Sequence, residues 1–247
     1  DPQRLRELRA RAQRLRGRLS GAVARELYGR DMHLSASRIE RFASCRFAYF
    51  MSYALKARPM APADLSPPQY GEFMHYVLQH VARDAEALGG FGAAAAEQLE
   101  ELTDKYVALY IEEELGGFEG RSARFVYLFR RLAEGVKRVV ADMADELRSS
   151  EFTPLGFELD FSRLAAGREL PDGGTLALSG IADRVDGWVH NGRLYLRVVD
   201  YKTGKKSFSL SDVWYGLGLQ MLLYLYTLSE AAPELYGRAA EPAGVLY

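Results

Sequence analysis

At Pro154 the spacing of apolar residues in this 247-residue chain changes from the period of a helix to the period of a strand. Beyond that point Phe157, Leu159 and Phe161 alternate with polar residues. Leu176, Leu178, Gly180 and Ile181 to Val189 read as a second extended stretch, and Arg193 to Tyr201 as a third. Asn191-Gly192 lies between the last two. A two-residue type I′ turn needs positive φ at both positions, and this dipeptide is a strong signal for it. Ser209, Ser211 and Asp212 then open a long apolar helix to about Ser229, and a final strand begins at Ala243. The order predicts an α/β or α+β sheet domain with a large N-terminal helical portion, not a regular βαβ repeat.

The first half is helical throughout. Residues 3–27 read as one helix with a thin stripe of Leu5, Leu8, Leu15 and Leu19; residues 1–30 hold nine Arg against three acids. This is a solvated connecting helix or, alternatively, a nucleic-acid arm. Ser35 or Ser37 can N-cap the next helix, and Ser37 with Glu40 has capping-box spacing. That helix runs to about Leu55, and Phe42, Phe47, Tyr49, Phe50 and Tyr53 mark it as a core helix. Arg58 to Pro68, with four Pro, is a loop. Pro68 to Leu88 is a helix with Phe73, Val77 and Val81 on one face, ended by Gly89-Gly90. Residues 93–115 and 121–150 are two long amphipathic helices. The organisation expected is a connecting helix at 1–30 and one domain at 31–247, helical over 31–150 and a sheet core over 151–247.

Composition narrows the class. The chain is 48% hydrophobic and 26% charged, as ordinary globular domains are, with a formal net charge of −1. A stand-alone module that captures DNA electrostatically needs a basic total. No run of 18 apolar residues exists, so no membrane span is expected, and the N-terminus has no apolar signal region. The single cysteine, Cys45, excludes an internal disulfide or an all-cysteine metal site, and a reducing compartment follows. A chain that starts without Met and stops on Val245-Leu246-Tyr247 reads as a piece of something longer.

The residues that can do chemistry gather in the second half. In a strand, Asp200 and Lys202 share a face while Tyr201 points away, and Gly204 lets the chain turn. Alone, this is also what a surface ion pair looks like. Asp183 shares its face with Ile181 and Val185, where a carboxylate is costly unless paired or metal-bound. Asp183 lies eight residues before the Asn191-Gly192 turn and Asp200 eight after it. In simple antiparallel register they are opposite one another, and two such carboxylates repel unless a cation or proton lies between them. A magnesium ion suits oxygen donors so placed, and Lys202 beside it suits a phosphoryl oxygen. His75, three residues after Glu72, resembles half a di-iron site, but no second Glu-x-x-His exists. Gln220 and Tyr224 share one helix face in an apolar run, where a buried glutamine needs a partner. Gly204-Lys205 is not a phosphate-binding loop, because Val199 and Lys206 stand at required Gly and Ser/Thr positions.

Taken together these pieces resemble the PD-(D/E)XK nuclease superfamily. The nearer likeness is to the C-terminal nuclease domain of AddB (RexB) subunits of bacterial helicase–nucleases. It rests on Leu34-Ser35-Ala36-Ser37-Arg38-Ile39-Glu40-Arg41-Phe42 with Cys45 and Phe47-Ala48-Tyr49-Phe50, on Gly71 to His75, and on Gly156-Phe157-Glu158-Leu159. It continues through Gly180 to Asp186, Val199 to Gly204, and Tyr215-Gly216-Leu217 with Gln220 and Tyr224. The resemblance implies an α/β fold with a restriction-endonuclease-like core, a mixed central β-sheet flanked by helices. Asp183 and Asp200 would be metal carboxylates, with His75 and the Tyr201 carbonyl as further ligands and Glu158 as a weaker one. Lys202 would act on the attacking water and the phosphate. Gln220 would be catalytic, and Gln220, Tyr224, Lys205, Lys206 and Arg184 would meet DNA. Mg2+ or Mn2+ would be the cofactor. Cys45 would stand at the first ligand position of a 4Fe–4S cluster, which needs further C-terminal cysteines; Arg46 replaces the usual Pro. The implied activity is hydrolysis of single-stranded DNA delivered by an AddA-type helicase–nuclease partner. The implied setting is double-strand break repair by recombination in the bacterial cytoplasm, at the nucleoid. The alternatives are a non-catalytic DNA-guiding scaffold module and a free-standing RecB-like exonuclease.

Overall fold

Asn191 and Gly192 take φ of 50° and 78°, so the turn read from the sequence forms and folds two long strands against each other. The computed structural model describes residues 2–7, 19–57, 67–162, 167–171, 173–202 and 208–247. In chain order come α1 (Gly21–Tyr28), β1 (Met32–Leu34), α2 (Ala36–Ser44), α3 (Arg46–Tyr49) and a π-helical turn at Phe50–Ala54. Three long helices follow: α4 (Pro67–Ala85), α5 (Ala96–Glu113) and α6 (Ala123–Ser149). Then come β2 (Thr153–Asp160), β3 (Arg168–Glu169), β4 (Thr175–Leu178), β5 (Ile181–His190), β6 (Arg193–Val199), α7 (Leu210–Trp214), α8 (Gln220–Tyr236) and β7 (Ala240–Leu246).

The main sheet has the order β2-β5-β6-β7. Its first three strands are antiparallel neighbours, and β7 joins β6 in parallel, which is why a crossover helix, α8, must intervene. The expected mixed sheet flanked by helices is therefore present. One face packs Val185, Leu194, Leu196 and Val198 against Met221, Leu225 and Leu228 of α8. A second core, built on Phe73, Val77, Tyr110, Phe129 and Val140, joins α4, α5 and α6, and Phe157 and Tyr201 of the sheet region pack on it. The sheet thus lies between α8 and the helical layer.

Four expectations are corrected. Residues 3–27 are not one helix: Ser20 is extended, and its hydroxyl accepts from Val23 N–H at 3.3 Å to start α1 afresh; Leu8 and Leu15 lie outside the described residues. The helix expected from 35 to 55 breaks at Cys45, which is extended at φ −158°. Ser35, not Ser37, caps its first part, and Phe42 and Phe47 are exposed rather than core. The stretch from Leu176 to Val189 is two strands, because β4 pairs with β1 and β3 in a separate small sheet while β5 enters the main one. The apolar helix expected from 209 to 229 is α7 and α8, separated where Gly216 and Gly218 take φ of 81° and 64°.

Gly180 shows how close the packing is beneath β5. A Cβ there would stand 2.7 Å from Phe161 Cζ and 2.7 Å from Tyr224 Cε1, both on buried rings. Gly180→Ala is expected to cost about 1–3 kcal/mol through overpacking. That is a fall in melting temperature of roughly 3–10 °C for a chain of this size. An unchanged melting curve would show that the two rings move aside freely.

Candidate active site

The ladder between β5 and β6 runs from His190↔Arg193 to Arg184↔Val199, so the next pair in register is Asp183 opposite Asp200. Both carboxylates are buried. Asp200 is pinned at the sheet end by its own N–H, which donates to the Leu246 carbonyl of β7 at 3.0 Å. The N–H of Tyr201 donates to Asp183 Oδ2 at 2.8 Å, so the chain leaving β6 is tied across to the carboxylate of β5.

Three more elements reach the same place. Lys202 Nζ lies 2.8 Å from Asp200 Oδ2. Gln220, the first residue of α8, donates from Nε2 to Asp200 Oδ1 at 3.3 Å and lies 3.5 Å from the Tyr224 hydroxyl one turn on. From α4, His75 brings Nδ1 within 2.6 Å of Glu158 Oε1 and Nε2 within 3.6 Å of Asp183 Oδ2. Among the described residues, ligand atoms of His75, Glu158 and Asp183 fall within 4.8 Å of one another, enough to hold a metal ion. Glu158 arrives through an unusual backbone: φ is 47° in the middle of β2, between the ladder pairs Phe157↔Arg184 and Leu159↔Ala182. A non-glycine residue is rarely held there, and such strain gathers at functional sites.

The electrostatics follow from burial. Burial pushes the Asp183 carboxyl up to about 6, helped by Asp200 and Glu158 and opposed by His75 and the Tyr201 amide. His75 is raised chiefly by its hydrogen bond to Glu158, against the opposite pull of burial. Both groups therefore hold a proton more tightly in the fold than in the unfolded chain. Stability drawn from them is fully present at low pH and is lost as pH rises, through about 6 for Asp183. In chelator the melting temperature is expected to fall between pH 5 and 7, with Asp183 alone contributing about 1 kcal/mol over that span, the larger part of its effect having been lost already between about pH 3 and 5. A divalent cation, if it binds between these groups, should flatten that fall by taking the proton's place. A metal-free curve that stays level or climbs over this range would count against two uncompensated acidic neighbours.

The opposite face of the same strands is sealed, and the expectation that Arg184 meets DNA is corrected. Arg184 is 1% exposed, with Nε 2.9 Å from Asp186 Oδ1 and NH2 2.7 Å from Glu146 Oε2 of α6. Arg197 completes the group at 2.6 Å from Asp186 and 2.6 Å from Glu146. Burial raises Glu146, but Arg184 and Arg197 hold it below its usual value. The Tyr201 hydroxyl accepts from Arg184 NH1 at 3.3 Å and donates to Met143 Sδ at 3.0 Å. This face locks strands to helix, and Arg184 itself is closed off from any phosphate in solution.

Lys205 and Lys206 lie outside the described residues. Cys45 is exposed, and its Sγ accepts from Ala48 N–H at 3.5 Å as the cap of α3. Glu40 reads in the sequence only as half of a capping box. In the fold its Oε1 accepts the N–H of Leu219 at 3.0 Å, across 179 residues of sequence, and so caps α8 just before Gln220. No local pattern signals that contact.

No helix among the described residues is long and apolar enough to cross a membrane. The B subunit of an ATP-dependent helicase/deoxyribonuclease from Caldanaerobacter subterraneus subsp. tengcongensis is 37% identical over 232 residues, covering 90% of this chain and 20% of that protein. The protein of the same name from Moorella thermoacetica is 36% identical over 266 residues, covering 96% of this chain and 22% of its own length. Clostridium botulinum (strain Okra / Type B1) has another at 35% over 228 residues, covering 90% of this chain and 20% of its own length. The chain spans about a fifth of the length of these curated relatives. A family model described as the PD-(D/E)XK nuclease superfamily matches residues 33–247, and with that span covering most of the sequence the chain belongs to this superfamily.

Proposed function

We propose that this nuclease domain hydrolyses phosphodiester bonds of single-stranded DNA with a divalent cation, magnesium or manganese, held by Asp183, Asp200 and His75. The observation that carries the reading is the burial, side by side at one sheet end, of Asp183 and Asp200 with Lys202 against them. Asp200 Oδ2 is buried and makes no hydrogen bond of good geometry among the described residues; the Lys202 ammonium lies 2.8 Å from it. Hard carboxylate oxygens and one imidazole suit such a cation. Nδ1 of His75 is engaged by Glu158, which fixes the ring and leaves Nε2 for the ion, an arrangement common behind metal-bound histidines. Glu158 is in this reading an orienting carboxylate. The Tyr201 carbonyl would add a further oxygen.

A bound cation supplies a Lewis acid and a water of lowered pKa. The chain's own groups do the rest. Lys202 places a positive charge where negative charge grows on the phosphate. Gln220 holds Asp200 in position, and Tyr224, whose hydroxyl burial pushes up and keeps protonated, borders Gln220.

By analogy with the helicase/deoxyribonuclease proteins it matches, the domain would take its strand from an AddA-type helicase partner in the bacterial cytoplasm, in break repair by recombination. The formal net charge of −1 favours a domain that is fed DNA over one that captures it. A 4Fe–4S cluster would need cysteines besides Cys45, the one cysteine in these 247 residues. The test is end-labelled single-stranded DNA with magnesium, wild type beside Lys202→Ala. Cleavage by the wild type and a loss of about a hundredfold or more in the variant is expected. Equal cleavage by both would remove Lys202 from the chemistry.

A further inference from the structure

We propose that Trp214 and Tyr215 form a ledge on which bases of the single strand stack as it meets the metal site; this rests on the nuclease reading above. The two rings are 85% and 73% exposed, at the end of α7, in a chain that packs its other tryptophan, Trp188, against Phe152, His190 and Tyr195. Adjacent along the chain and both largely in water, the two rings offer apolar surface of the kind that contiguous patches present to a ligand.

What assigns the ligand is the connection to the site. The turn after α7 is wound tightly: Tyr215 N–H donates to the carbonyls of Ser211 and Asp212 at 3.2 and 3.0 Å, Gly216 N–H to that of Val213 at 3.0 Å, and Leu217 N–H to that of Asp212 at 2.8 Å. A Cβ on Gly216 would approach Ala43 Cβ of α2 at 3.0 Å, so the turn lies directly on that helix. Leu219 N–H is then fastened to Glu40 of α2 at 3.0 Å, and the next residue, Gln220, bonds Asp200 at 3.3 Å. The aromatic pair is thus held by a short, hydrogen-bonded segment that ends on a carboxylate of the site. A π surface five residues along the chain from Gln220, on a segment fastened at both Ala43 and Glu40 of α2, fits a nucleic acid strand.

The choice of bases over phosphates follows from charge. With 32 basic and 33 acidic residues, the domain gains little from counterion release. Every base has a π face, so stacking holds a strand of any sequence, at about tenfold in affinity per stacked base. Neither side chain packs inside the fold, so both can be removed without opening a cavity.

The experiment uses the 247-residue chain and calcium in place of magnesium, to hold the strand without cutting it. Binding of fluorescent oligothymidylate, about twenty nucleotides long, and of an equally long strand with an abasic stretch is measured for wild type and for Trp214→Ala/Tyr215→Ala; that length spans more than one stacking platform. The wild type is expected to prefer the strand with bases by about tenfold to a hundredfold, and the variant to bind both strands equally weakly, with its melting temperature unchanged. Trp214→Phe/Tyr215→Phe should restore most of the preference. In magnesium the double alanine variant should show the loss mainly in KM. If the variant keeps the wild type's preference for bases, the ledge is refuted and the patch is a protein-docking face, while wild-type cleavage leaves the nuclease reading standing. If the wild type neither binds nor cuts any strand, the nuclease reading fails and takes the ledge with it.

Discussion

Asp200→Ala is expected to lower magnesium-dependent cleavage by about a thousandfold or more, while the metal-free protein melts at the same temperature as wild type or higher. The first half follows from position. Asp200 is buried at the end of β6 with one oxygen held by Gln220 and the other free of any well-formed hydrogen bond, facing the Lys202 ammonium. Removing it takes away an oxygen donor and the anchor of both neighbours. Lewis-acid stabilisation is a matter of several kcal/mol, hence the thousandfold. The second half follows from repulsion. Asp200 is one of the charges that push Asp183 up to about 6, so its loss relieves a cost at neutral pH. Lys202, partly exposed, returns to water, and Gln220 keeps the Tyr224 hydroxyl. Magnesium should stabilise the wild type against heat and do little for the variant. Wild-type rates of cleavage from Asp200→Ala would sink the site assignment.

Asp186→Ala is expected to do the reverse, destroying activity by destroying the fold. Asp186 has no exposed surface and answers two guanidinium groups, Arg184 on one side and Arg197 on the other. Without it Arg184 is a buried cation with Glu146 as its one remaining carboxylate among the described residues, beside the neutral Tyr201 hydroxyl. Breaking such a pair costs about 3–5 kcal/mol, a large part of the roughly 5–15 kcal/mol typical of a whole domain. The melting temperature should fall by about 10 °C or more, or the chain should fail to fold. Arg193→Ala is the control. It breaks an ion pair of the same 2.6 Å length as Arg197–Asp186, with Glu241, but both partners are exposed and the loss should stay under about 1 kcal/mol. If the two substitutions cost the same, burial of Asp186 is not what gives the network its weight. Asp183 and Asp186 stand on the same strand, an odd number of residues apart. In the proposed reading one belongs to chemistry and the other to the scaffold, because residues an odd number apart on a strand face opposite sides of the sheet.

That alternation explains how far the sequence can be read. The Asn191-Gly192 turn is local chemistry, and once it forms, counting eight residues in each direction sets Asp183 against Asp200. Gln220 and Tyr224 are likewise one helical turn apart, wherever the helix lies. Arg184 cannot be placed in this way. Beside an aspartate in a motif it reads as a surface cation, and what buries it is Glu146, 38 residues earlier on α6. Phe42 and Phe47 mislead in the opposite sense: aromatic content suggests a core, but both are exposed, one on each side of the break at Cys45. Glu158 carries little weight in the sequence because an alternating strand pattern does not reveal φ of 47°.

The sequence by itself therefore determined the change from helices to strands near Pro154, the hairpin and the pairing of two acids. Each depends on periodicity or on a turn of fixed length, which neighbours in the chain settle between themselves. Only the tertiary structure decided that His75 and Glu158 meet Asp183, that Glu40 caps α8 ahead of Gln220, and that Arg184 is interior. Those contacts join residues tens to hundreds of positions apart, and their formation depends on how the helical layer and α8 pack on the sheet, a long-range balance of buried area and charge that no local spacing encodes.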